Sequence, residues 1–138
     1  MNNKVLYEIK ERALKGETDA QYMYFLYLLE DCDNYRNMKI AFKMRDEAAR
    51  NGHAAAIETL EFEKKMEVIL QNDFNNNLVE ALKSYEGQLG SFDAPYEVIG
   101  YLYEKLKSYK ESIYYYRMSS SPIAKERLWK LIARGFAA

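Results

Sequence analysis

The chain has one cysteine, Cys32, so no intrachain disulfide can form. That usage fits a reducing compartment, the cytoplasm. It has one histidine, His53. The usual parts of a histidine metal site or of a Ser-His-Asp relay are therefore missing, and no metal site is expected. Prolines occur only at positions 95 and 122, and β-branched residues are sparse. No run of about 18 apolar residues is available to span a membrane. The N-terminal stretch Met1–Ile9 has no long apolar segment of the kind a signal peptide needs, and Glu8 and Glu11 interrupt it early. No glycine-rich phosphate loop is present, and no cofactor is expected. The formal net charge of -1 excludes a uniformly basic nucleic-acid binder.

What is present is helix-forming. Leu, Ala, Glu, Lys, Met and Tyr dominate the 138 residues, 49% of them hydrophobic and 30% charged, a balance suited to one domain with a core. The chain is organised around a repeated joint. Ala48-Ala49-Arg50-Asn51-Gly52-His53-Ala54-Ala55-Ala56 reads as a helix end, a glycine stop and a new helix start. Ala13–Ala20, around Gly16, repeats the device, and a looser copy lies at Gly90–Ala94. The fold class expected is all-α, read as antiparallel helix pairs between joints at Gly16, Gly52, Gly90 and Ser121.

The first helix is expected over Asn3–Lys15, with Val5, Leu6, Ile9, Ala13 and Leu14 as its apolar stripe. Thr18 and Gln21 have capping-box spacing for a second helix reaching Glu30, apolar on nearly all sides. Asp31–Asn34 forms the turn. The third helix spans Tyr35–Arg50, with Met38, Ala41, Phe42, Arg45, Ala48 and Ala49 inward. The fourth spans Ala54–Gln71, burying Ile57, Leu60, Met66, Ile69 and Leu70. After the polar break Asn72–Asn77, a fifth helix capped by Asn77 and Glu80 runs to Tyr85. A sixth starts near Ala94-Pro95 with Tyr96, Ile99, Leu102, Tyr103 and Leu106. Ser108-x-x-Glu111 opens a seventh, and Ser121-Pro122 opens an eighth that ends at Gly135.

The Gly52 joint, followed by Ala54-Ala55-Ala56-Ile57-Glu58-Thr59-Leu60, resembles the Sel1-like repeat, as does Ala20-Gln21-Tyr22 after the Gly16 turn. A third unit built on Tyr96, Ile99, Gly100, Tyr103, Ser112, Tyr116 and Ser119 is similar to the related tetratricopeptide repeat. Phe25 and Glu61 stand where the pattern has its second, helix-packing glycine, and only Gly100 keeps it. The resemblance implies a right-handed α-solenoid of about eight helices in a single domain, and a role as adaptor or scaffold without catalysis. Carried onto the third unit, its groove positions are Glu97, Tyr101, Glu104 and Lys105. Tyr22 and Tyr27 are the counterparts in the first unit. The implied partner is another polypeptide.

Charge is unevenly spread. Residues 1–100 hold 12 Lys/Arg against 18 Asp/Glu, and residues 101–138 hold 8 against 3. Small size and this polarity suggest an alternative role, an immunity or inhibitor protein that masks a toxin or effector. A second alternative uses Lys105, Lys107, Lys110, Arg117, Lys125, Arg127, Lys130 and Arg134 among Tyr109, Tyr114, Tyr115 and Trp129 to hold a single nucleic-acid strand. An ordinary solvated basic flank is the simpler reading of the same residues. The 13 tyrosines suit a binding surface but equally fill a core. His53 is read as a structural residue of its joint. Cys32, flanked by carboxylates, is a poor nucleophile. Glu58, Glu61, Glu63 and Glu67, interleaved with Lys64 and Lys65, form a solvated helix side. The polar first helix suits an end of the stack, so the free chain is expected to be a monomer.

Overall fold

The computed structural model describes residues 3–30 and 35–136. Cys32 and the expected Asp31–Asn34 turn lie outside the described residues. Among the described residues there are eight helices and no strand, as an all-α chain requires. They are α1 (Asn3–Leu14), α2 (Thr18–Leu29), α3 (Tyr35–Arg50), α4 (Ala54–Phe74), α5 (Leu78–Glu86), α6 (Tyr96–Lys105), α7 (Tyr109–Met118) and α8 (Pro122–Ala133). The chain divides into two compact units, Met1–Glu61 and Phe62–Ala138, the division falling inside α4. No helix is long and apolar enough to cross a membrane among the described residues.

In the first unit α2 packs against both α1 and α3. It buries Ala20, Tyr24, Phe25, Leu28 and Leu29, which is why its sequence is apolar on so many sides. Gly16 and Gly52 close their helices identically. The Gly16 amide bonds Ala13 O at 3.0 Å and the Glu17 amide bonds Arg12 O at 3.1 Å; at Gly52 the matching bonds are 3.0 and 2.9 Å. Both glycines have φ near +90°, the left-handed region that a side chain resists. The N-cap of α2 is Glu17 rather than Thr18, and its side chain makes no capping bond. Gln21 does not complete a capping box either. It is buried, and its amide donates to Ala13 O at 3.4 Å and to Glu47 Oε2 at 3.2 Å, tying α2 to α1 and α3.

The inward face expected for α3 is largely present, with Met38, Ala41, Arg45 and Ala48 buried. The Arg45 guanidinium lies 5.7 Å from the Phe25 ring centroid and 5.4 Å from that of Phe42. Its Nε donates to Asp46 at 2.7 Å. Such stacking keeps a weakly hydrated cation tolerable inside a core.

α4 departs from expectation. It absorbs Asn72–Phe74, and the chain turns only at Asn75 and Asn76, whose φ values are +50° and +62°. Asparagine tolerates this conformation better than most residues. Leu60, expected inside, is 50% exposed. The inward stripe of the second unit's part of α4 is Phe62, Met66 and Leu70, spaced four apart, and a residue two positions away from it points to the opposite side.

In the second unit Phe62, Met66 and Leu70 join Ala81 and Leu82 of α5 and Ile99, Tyr101 and Leu102 of α6 in one apolar cluster. Ile113 and Tyr116 of α7 and Ala124, Leu128 and Leu131 of α8 form the next. Helix starts behave as read at two sites. Asn77 Oδ1 accepts the Glu80 amide at 3.1 Å, and Ser121 Oγ accepts the Ile123 amide at 3.2 Å ahead of Pro122. Ser108 occupies the N-cap of α7 but its side chain makes no capping bond. The α6–α7 joint has a lysine in the glycine role: Lys107 has φ +62° and repeats the Gly16 bond pattern, with Ser108 N to Tyr103 O at 2.9 Å.

Gly100 sets the spacing of α6 and α7. A Cβ there would lie 2.5 Å from Tyr116 Cδ1, and the Ser112 hydroxyl donates to Gly100 O at 2.8 Å. The Tyr116 ring is fully buried and cannot step aside. Gly100→Ala is expected to destabilise the protein by about 1–3 kcal/mol through overpacking. Gly87→Ala, at a right-handed helix end, should stay within about 0.5 kcal/mol. Urea unfolding monitored by circular dichroism measures both; equal behaviour of the two variants would show that α6 and α7 can separate freely.

Candidate functional site

The four positions singled out on α6 fall into two environments. Glu97 is half-buried and accepts a 3.5 Å bond from the Ser119 hydroxyl. Tyr101 is 0% exposed, with its ring edge-on to Phe62 at 5.5 Å. It therefore points into the core and offers no open contact face. An i, i+4 pattern on a short helix did not distinguish the two sides, because the inward stripe continues through Ile99 and Leu102.

Tyr101, Glu104 and Lys105 do come together, as parts of an internal polar network. Glu104 Oε1 accepts the Tyr116 hydroxyl at 2.7 Å and Arg127 Nε at 3.2 Å, while Oε2 accepts Arg127 Nη2 at 3.1 Å. Arg127 Nε also reaches Tyr116 Oη at 3.1 Å, and its guanidinium lies 4.8 Å from the Tyr101 ring centroid. Lys105 Nζ is 5.5 Å from the same centroid and 3.7 Å from Glu63 Oε1. One residue each from α4, α7 and α8 thus converges on α6. A fork-to-fork arginine–carboxylate pair is the strongest form of such a link.

The electrostatics follow from burial. Burial raises the Tyr116 pKa far above its ordinary value; Arg127 pulls it down while Glu104 pushes it up. Burial opposes the charge of Arg127, but Tyr116 and Glu104 outweigh it and its pKa is raised. The Tyr101 pKa is raised by burial, with Lys105 opposing. Its hydroxyl is buried without a well-formed hydrogen bond, although Lys105 stands close enough to act on it. Beside the network is a cleft of about 250 Å³ lined by Glu63, Glu104, Arg127, Lys130, Leu131 and Arg134. Its charges are mutually satisfied: Lys130 pairs with Glu126 at 3.1 Å, and Arg134 lies over the Tyr109 and Phe136 rings.

In the first unit Tyr22 is half-buried and stacked on His53 at 4.5 Å between centroids. His53 Nδ1 accepts the Ala56 amide at 3.3 Å, and Nε2 lies 3.4 Å from Asp19 Oδ1. His53 therefore starts α4 and braces α2, a structural part of the joint. Tyr27 is 37% exposed. A wider, open groove of about 700 Å³ lies between α3 and α4, lined by Asp46, Ala49, Arg50, Ile57, Leu60 and Glu61. Among the described residues no group of three or more His, Cys, Asp or Glu side chains is placed to hold a metal ion.

One aromatic arrangement was missed by sequence reasoning. Tyr115 of α7 stacks with two α6 tyrosines: Tyr103 at 5.5 Å with an interplanar angle of 3°, and Tyr96 at 6.5 Å and 20°. Tyr114 meets Tyr115 edge-on at 5.2 Å. The Tyr103 hydroxyl donates to Glu86 at 3.3 Å. Tyr96, Tyr103 and Tyr115 are half-buried and Tyr114 is 58% exposed. The seven-residue spacing of Tyr96 and Tyr103, two helical turns on one face, was the available signal.

No protein-family model, no curated protein and no solved structure matches the chain.

Removing one partner of the network should cost more than removing both. Glu104→Gln is expected to lose about 1.5–3 kcal/mol, the worth of hydrogen bonds to a charged partner. A double-mutant cycle with Arg127→Leu should return a coupling of about 0.5–3 kcal/mol; additive losses would dissolve the network. Tyr116 also fixes a pH dependence. Its folded pKa lies above the ordinary 10.0, so the unfolded chain releases that proton first. The stability it lends is complete below pH 10.0 and falls as pH rises beyond it. Phenolate absorbance at high pH should therefore include a component that appears only with the loss of helical circular dichroism. Complete titration of every tyrosine with the helices intact would contradict this.

Proposed function

We propose that the chain is a helical-repeat module of the Sel1-like and tetratricopeptide-like kind, its hairpins forming a right-handed α-solenoid in the cytoplasm, and that it acts without catalysis by binding a partner polypeptide. The observation that carries this reading is the tyrosine ladder of α6 and α7. Its rings are held by mutual stacking on the pinned hairpin, yet Tyr114 is 58% exposed and the other three are only half-buried. Tyrosines fixed in this way bind with little loss of rotamer freedom, which is the main cost of ordering a contact surface.

The residues of the contact surface are accordingly revised. Tyr96, Tyr103, Tyr114 and Tyr115 replace Tyr101 and Glu104, whose groups are spent inside the unit, and Tyr27 and Glu97 stay as candidates. The nucleic-acid alternative keeps Lys107, Lys110 and Arg117, but Lys105, Arg127, Lys130 and Arg134 are engaged with carboxylates or rings and Tyr109 stacks on Phe136 at 4.1 Å. The immunity alternative is the same binding event with a toxic partner.

A tagged chain returned to its source cells should co-purify one polypeptide at fixed stoichiometry. Tyr114→Ala should weaken that capture about tenfold, a loss of about 1.4 kcal/mol typical of an interface tyrosine. If nothing co-purifies, or if Tyr114→Ala captures as well as the parent chain, the reading falls. A captured partner whose activity is abolished at one equivalent would select the immunity role over the adaptor. A gel shift at low salt, expected to show no retardation at micromolar protein, tests the nucleic-acid reading.

A further inference from the structure

The outer side of α7 has two unlike edges. Tyr114 and Met118, one turn apart and 58% and 45% exposed, lie between them on the side away from the core. On one edge stand Lys110 and Arg117, both exposed and two turns apart, with Lys107 exposed in the joint just before the helix. Ile113 sits between Lys110 and Arg117 around the helix. It is buried with Ala124, Leu128 and Leu131, so this edge runs beside α8. On the other edge, at four-residue spacing, are Glu111, Tyr115 and Ser119. This edge faces α6, where Tyr115 stacks on Tyr103 and the Ser119 hydroxyl donates to Glu97.

The charges sort in the same way. Acids gather on the α6 side: Glu111 of α7 itself, Glu97 at Ser119, and Glu86 at the Tyr103 hydroxyl. The α8 side has none to offer. Glu126 is the only acid of α8, and it is buried and paired with Lys130 at 3.1 Å. Among the described residues Lys107, Lys110 and Arg117 make no ion pair, side-chain hydrogen bond or ring contact. The cations of this edge are therefore the ones that packing has left unmatched, and an apolar strip lies against them.

Such an edge is complementary to carboxylates that flank an apolar side chain. Lys110 and Arg117 are about 10 Å apart along the helix axis. Carboxylates about three residues apart on an extended segment match that separation. A nucleic-acid strand matches less well, because it needs open ring faces for successive bases. Tyr114 is the one exposed ring of the four; Tyr96, Tyr103 and Tyr115 are half-buried and stacked on one another, and Met118 has no ring to give.

We infer that the Lys110–Arg117 edge of α7, with Tyr114 and Met118 beside it, receives an acidic segment of the partner polypeptide. The assignment rests on the protein-binding reading and names the chemistry of the partner. Carboxylates of the segment pair with Lys110 and Arg117, Lys107 adds attraction at the start of the helix, and an apolar side chain covers Tyr114 and Met118. Each exposed pair is weak alone and screened by salt, so the cations act together, by steering the segment and fixing its register.

The test is a titration of the intact chain with a capped peptide of glutamates flanking a single leucine, followed by NMR. The same peptide with lysine for every glutamate, and a single-stranded oligothymidylate of equal charge, are the comparisons. Saturable shifts of the Tyr114 ring, the Met118 methyl and the Lys110 and Arg117 amides are expected with the glutamate peptide, weaker ones with oligothymidylate and none with the lysine peptide. The double variant Lys110→Ala/Arg117→Ala, both at exposed positions, should weaken binding of the glutamate peptide about tenfold, while Glu111→Gln should bind it at least as tightly as the parent chain. Silent resonances, shifts confined to other residues, equal binding of the lysine peptide, or full binding by the double variant would each overturn the assignment. Oligothymidylate bound as tightly as the glutamate peptide would overturn it in favour of nucleic acid. The two readings fail differently. A co-purifying partner lost with Tyr114→Ala but kept by the double variant would leave the adaptor and remove the acidic segment. An α7 edge that takes the glutamate peptide, in a chain that captures no polypeptide, would do the reverse.

Discussion

The second unit depends on one carboxylate. Glu104 leaves α6, takes a proton donor from Tyr116 of α7 and a fork from Arg127 of α8, and so fixes three helices relative to one another. The link forms only because Gly100, one turn earlier, lets the Tyr116 ring lie directly against the α6 backbone. Without that approach the hydroxyl would not reach Glu104, and Arg127 would keep only its contacts with the Glu104 and Glu63 carboxylates. A small residue and a polar network are thus two halves of a single constraint, and the apolar clusters on either side settle around it.

That constraint divides α6 into faces with different uses. Tyr101 and Glu104 turn inward, where their polar groups are consumed. Tyr96 and Tyr103, seven residues apart, turn toward α7 and meet Tyr115 in near-parallel stacking. α7 is held at the same time through Tyr116, which bonds Glu104 and Arg127. The network contributes nothing to the outer face chemically. It contributes rigidity, which lets aromatic faces bind without first being ordered.

Much of the fold was legible in local signals. Glycine joints at Gly16 and Gly52, the Ser121-Pro122 start and the Asn77 cap act over a few residues, where backbone sterics decide. Signals that depend on what lies opposite were not legible. Thr18 and Gln21 have the right spacing for a capping box, but Gln21 finds better partners on α1 and α3. Lys107 makes a joint with no glycine to mark it. Leu60 looked internal by composition, and only the stripe through Phe62, Met66 and Leu70 shows that its side of α4 faces out. Among candidate contact residues the same limit applied: Tyr101 and Tyr103 are both tyrosines on α6, two positions apart, and only the neighbouring helices distinguish core from surface.

The division of charge is the remaining consequence. The C-terminal third of the chain carries an excess of cations, and by composition alone it would attract anions. Pairing redistributes that excess. Arginine and lysine on the inner side of α6 and on α8 are drawn to Glu63, Glu104, Glu126 and to aromatic rings, and Coulomb attraction at 3–4 Å outweighs any longer-range pull in salt. Acids on the other side, Glu86 and Glu111, are left beside tyrosines. Lys107, Lys110 and Arg117 enter no such pair among the described residues, so the segment keeps part of its positive balance outside the network. The sign of a binding face is decided by which charges packing has already neutralised, and that follows from the same contacts that hold α6, α7 and α8 together.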